Sequence, residues 1–154
     1  MSAARRLGLA LAAVAALALA GCDGDSEEKN DYVDEVNAVT STLNSGLTEV
    51  STEATAISSP ARAREVFSTF ASSLYAAASK ISMISPPDQV ADLHDRLLQQ
   101  VRTLASGARD AAAGVGTGGS AAVAAASGEF VSEATRLSAD IDATIAEINS
   151  MLQG

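Results

Sequence analysis

The sequence predicts an all-α protein, an antiparallel up-down-up-down four-helix bundle that follows a separate N-terminal segment. Three observations carry this expectation. Four successive stretches place apolar residues at steps of three and four, the repeat of one helix face. All three prolines, and three of the 11 glycines, fall between those stretches. Runs of alternating β-branched residues, the mark of half-buried strands, are missing. Apolar residues are 47% of the 154, but many are alanine and only 3% are aromatic. Alanine buries little area, so the core must be thin and its helices close together. A chain of this length holds one domain beside its N-terminal segment.

That segment comes first. Arg5 and Arg6 precede an uncharged apolar run of 14 residues, Leu7 to Ala20, which Gly21 and Cys22 close. The run is too short to span a bilayer, which takes about 20 residues, but it suits the apolar region of a signal peptide. Leu19-Ala20-Gly21-Cys22 resembles the lipobox of bacterial lipoproteins. The resemblance implies a signal peptide over residues 1–21, cleavage before Cys22, and a diacylglyceryl group on its thiol. It further implies an acyl chain such as palmitate on the new amino terminus, on the extracytoplasmic face of the cell membrane. Two or three acyl chains, each buried methylene contributing about 0.8 kcal/mol, make a lasting anchor. Asp23 to Asn30 is short and acidic, so residues 22–30 read as the lipidated cysteine and a flexible tether.

The bundle is expected over residues 31–154. Its first stripe is Tyr32, Val36, Val39, Leu43, Leu47, Val50, Ala54 and Ile57, with Asp31, Asp34 and Glu35 where the helix dipole favours negative charge. Ser59 is placed to cap a second helix that begins at Pro60 and carries Phe67, Phe70, Leu74, Ala77, Ile81 and Ile84. Ser85-Pro86-Pro87-Asp88 breaks the chain and is read as capping a third helix at Pro86, with Val90, Leu93, Leu97, Val101, Leu104, Ala108, Ala111 and Val115 on one face. Gly114 to Gly119 is a glycine-rich connector. It lacks the lysine of a phosphate-cradling loop and follows a helix instead of a strand. Val123, Phe130, Ala134, Leu137, Ile141, Ile145, Ile148 and Leu152 form the fourth stripe. Short links make neighbouring helices antiparallel. The Pro86-Pro87 start, followed by Leu93-His94 and Leu97-Leu98, is also similar to a segment of small helical lipoproteins of high-GC bacteria. That similarity brings no function with it.

Charge excludes some partners. All 19 acidic residues follow Cys22 while two of the ten basic ones precede it, so the chain beyond Cys22 holds eight against 19, a net −11. Such a surface repels nucleic acid and anionic headgroups. One cysteine excludes an internal disulfide and a cysteine metal cluster. His94, the single histidine, sits one position off the third stripe and reads as a boundary residue making one hydrogen bond, with Asp92 pairing Arg96. One histidine cannot supply the paired Glu-x-x-His motifs of a di-iron bundle, and no nucleophile stands in a recognisable turn. Glu129, Glu133 and Glu147, with Arg136 beside Glu133, read as a solvated face.

The expectation is therefore a non-enzymatic protein without cofactor or metal, anchored by Cys22 and acting as a scaffold or accessory through an envelope protein partner. The alternative is a bundle that holds a small apolar ligand or lipid. In an antiparallel bundle Tyr32, Met83, His94 and Met151 gather at the end nearest the anchor and form the candidate partner or ligand surface. The opposite end, rich in alanine around the glycine loop, is expected to be thin.

Overall fold

The computed structural model describes residues 24–54, 59–115 and 119–153. Cys22, the segment read as a signal peptide, Ile57 and residues 116–118 of the glycine connector lie outside them. Among the described residues the chain forms four α-helices, α1 (Gly24–Ala54), α2 (Pro60–Ile81), α3 (Ala91–Val115) and α4 (Ser120–Gln153). A 3-10 turn over Asp88–Val90 precedes α3, and no strand occurs among these residues. No helix among them is long and apolar enough to cross a membrane.

Neighbouring helices run antiparallel. In the α3–α4 pair Arg96 meets Glu147, Gln100 meets the Asp140 carbonyl, Gly107 faces Glu133, and Gly114 faces Ala126. Between α1 and α2, Gly46 lies against Phe70 and Glu53 against Arg62. The α2–α3 seam is the most extensive and α1 is the most lightly held helix, packed on α2 with a slight contact to α4.

The four apolar stripes face the core. Tyr32, Val36, Val39, Leu43 and Val50 of α1 are buried, as are Phe67, Phe70, Leu74, Ala77 and Ile81 of α2. So are Val90 and all seven stripe residues of α3 from Leu93 to Val115, and α4 buries every stripe residue except the half-buried Ile145. A fully buried Leu or Phe side chain stabilises by roughly 1.5–3 kcal/mol, so this shared core holds the fold. At the start of α2 the Ser59 hydroxyl accepts from the Arg62 backbone N–H at 3.3 Å, with proline in the first turn. Both features satisfy or remove donors that a helix start leaves without partners.

Four expectations need correction. The acidic stretch read as a tether is helical from Gly24, because Glu27 and Glu28 suit the positive end of a helix and both are good helix formers. The third helix does not begin at Pro86. Pro87 has ψ of 144° and the α-helix starts only at Ala91, because a residue before proline is driven out of the helical region and Pro86 has Pro87 after it. α2 also stops short of the prolines, at Ile81, and Ile84 is half-buried in the link. Last, the half of the bundle toward the glycine connector is not thin throughout, although Ala111, Ala112, Val115 and Val123 next to the connector are small. Phe67 and Phe70 of α2 meet Phe130 of α4 edge-on, with ring centroids 5.3 and 6.0 Å apart, and supply the bulk that alanine lacks.

Candidate functional site at the entry of α1

The end of the bundle where α1 enters is built from the start of α1, the end of α2, the start of α3 and the end of α4. Tyr32 is the first core residue of α1, at 2% exposure, and His94 lies in the first turn of α3 at 4%. The Tyr32 hydroxyl stands 3.2 Å from His94 Nδ1, and the two ring centroids are 5.8 Å apart. The contact crosses the bundle's diagonal. No Cα of α1 lies within 8 Å of any in α3 among the described residues, so long side chains alone join these helices.

Burial pushes the Tyr32 phenol up to about 12. It also holds the His94 imidazole below its ordinary range, against the pull of Asp95 and of a backbone hydrogen bond to Ile81. Both shifts favour neutral rings, since a charge in apolar surroundings is costly. The neutral tautomer protonated on Nε2 suits the pair, since it leaves Nδ1 to accept from the phenol.

The four residues expected to share a surface here are divided by the fold. Tyr32 and His94 are interior and face each other, so neither is part of the outer surface. Met83, in the link after α2, is 73% exposed, and Met151, near the end of α4, is 45% exposed. The two methionines thus face outward instead of lining a space between helices. His94 makes a hydrogen bond as expected, but it is a core residue, not a boundary one. Arg96 reaches across the seam to Glu147 of α4 at 3.1 Å, so the expected Asp92–Arg96 pair is replaced by one between helices. The direct Tyr32–His94 contact was not anticipated. Its only trace in the sequence is that each residue lies near the start of an apolar stripe and that both stripes start at the same end.

Elsewhere the chemistry is sparse. Asp88, Asp92 and Asp95 are exposed, and no group of three or more His, Cys, Asp or Glu side chains among the described residues converges to hold a metal. Glu129 and Glu133 are exposed on α4, where Arg136 pairs with Glu133 at 4.0 Å and with Asp140 at 3.3 Å. Gly128, Glu129, Ser132, Glu133 and Arg136 line a shallow, open depression on that helix. It lies wide open to solvent on one helix, which suits neither an enclosed ligand nor a buried reaction centre. No protein-family model, no curated protein and no solved structure matches this chain.

Proposed function

We propose that the protein is a lipoprotein of the bacterial cell envelope, held on the extracytoplasmic face by lipid on Cys22. It works without catalysis, as a scaffold or accessory subunit that meets its protein partner near the anchored end. The observation that supports this reading best is the course of α1. The helix begins at Gly24, two positions after Cys22, and Glu27, Glu28, Asn30 and Asp31 are exposed ahead of the first core residue, Tyr32. From Gly24 to Tyr32 at 1.5 Å per residue the chain extends about 12 Å as helix, a stiff spacer between an anchor and the bundle. The exposed Met83 and Met151 lie at the same end, where polarizable, adaptable side chains suit a protein contact. The acidic surface opposes direct docking on anionic lipid, so attachment rests on the acyl chains.

The test is Cys22→Ala in the native host. Wild type is expected in the membrane fraction as a processed, acylated form, and the variant as an uncleaved precursor or a released protein. A variant that is processed and sediments with membranes like wild type refutes the anchor.

A further inference from the structure

We propose that the Tyr32–His94 contact is a proton-operated latch: when His94 takes up a proton in a mildly acidic medium, the N-terminal half of α1 is released from the rest of the bundle. This does not depend on the lipid anchor.

The argument rests on where the pair sits. His94 is the one buried basic side chain among the described residues, and Tyr32 is the one polar group that reaches it from α1. Protonation turns Nδ1 from acceptor into donor. The phenol must then turn its own hydrogen away, inside a core where it is 2% exposed, and the new positive charge is left without a buried counter-ion. An unpaired charge in such surroundings is costly enough to be driven to water. None of the charged groups around the pair is buried. They are Glu28, the half-buried Lys29, Asp31, Asp34 and Glu35 beside Tyr32 on α1, and Lys80 beside Ile81 on α2. Asp88 lies in the 3-10 turn, Asp92, Asp95 and Arg96 on α3, and Glu147, already tied to Arg96, on α4. Carboxylates prevail in this rim. The nearest, Asp95, favours the imidazolium even in the closed form, but burial opposes it more strongly, so the proton is taken up at the cost of the closed form.

What moves is decided by how each helix is held. The α2–α3 and α3–α4 seams are extensive, whereas α1 packs on α2 and little else. The far half of α1 has ties of its own to α2, the close Gly46–Phe70 approach and the Glu53–Arg62 ion pair at 3.0 Å. The near half has the Tyr32–His94 contact. Release therefore begins at the start of α1, exposes Tyr32, Val36 and Val39, and stops short of Gly46.

The test compares backbone amide exchange of the full-length protein, solubilised in mild detergent, at about pH 7.5 and about pH 5, each corrected for the intrinsic exchange rate. Protection over residues 32–43 is expected to fall roughly tenfold or more at the lower pH, with α2 and α3 unchanged. In His94→Gln, which cannot take the proton, the two values should agree. Equal protection in wild type at both pH values, an equal loss in all four helices, or the same loss in His94→Gln overturns the latch. Should that variant not fold, the unmodified protein answers, because it has a single histidine whose ring signals need no assignment. The ring must titrate with the same midpoint as the loss of protection in α1. A ring that titrates while α1 stays protected overturns the proposal equally.

Discussion

The two halves of the bundle close their cores by different chemistry. Toward the glycine connector, Phe67, Phe70 and Phe130 from α2 and α4 pack edge to face, and α1 is drawn in because Gly46 has no side chain. A Cβ at Gly46 would stand 3.3 Å from the Phe70 ring, which is itself held by Phe130. Toward the entry of α1, the corresponding space is spanned by Tyr32 and His94, a polar pair in an apolar setting. The first arrangement gains from area and shape alone and is indifferent to pH. The second adds a directional bond whose strength depends on neither ring carrying charge. A thin, alanine-rich bundle can thus be firm at one end and conditional at the other.

Removing the aromatic cluster is expected to have the largest effect. Phe67→Ala should cost about 3–5 kcal/mol of unfolding free energy, since the ring is fully buried and packs across to Phe130 of α4. Denaturant titration measures it, and a loss under about 1 kcal/mol would mean that the three rings are not the mainstay of that half.

A smaller effect is expected from Tyr32→Phe, about 1–2 kcal/mol, because it leaves His94 Nδ1 buried without a donor. The accompanying pH dependence has a definite sign. His94 is lowered in the folded protein from an ordinary value of 6.5, so the unfolded chain binds the proton more readily. Its contribution is fully present above 6.5 and is lost as the pH falls from there through the folded value. Tyr32 is raised from 10.0 to about 12, so its contribution is present below 10 and is lost as the pH rises through about 12. Thermal melts across the acid range should therefore show stability decreasing below 6.5, and His94→Gln should remove that slope. A wild-type slope that survives the substitution would assign it to other groups.

Arg96→Ala is expected to change stability least, by less than about 0.5 kcal/mol, although it removes a bridge between α3 and α4 in the same end of the bundle. Both partners are more than half exposed, and water replaces what is lost. If this substitution equalled Tyr32→Phe, the surface pair and the buried pair would matter alike, and the contrast between outer and inner ties would fail.

The helices and their inward faces could be read in the sequence, because both depend on residues three and four apart. The Tyr32 to Val50 stripe, the Leu93 to Val115 stripe and the Ser59 cap ahead of Pro60 are local patterns with local causes. The sequence by itself also determined the charge balance, a single histidine and the lipobox-like Leu19-Ala20-Gly21-Cys22. Tertiary structure alone decided which side chains meet. Tyr32 and His94 are 62 positions apart, Arg96 and Glu147 are 51 apart, and three distant phenylalanines form one cluster. Such pairings depend on the relative height and rotation of whole helices, which the packing of the entire core sets and no local spacing records. The same holds for Met83 and Met151, apolar by type and outward by position. Where α3 begins was a contest between a capping serine and two consecutive prolines, and the backbone restriction that proline places on its predecessor prevailed.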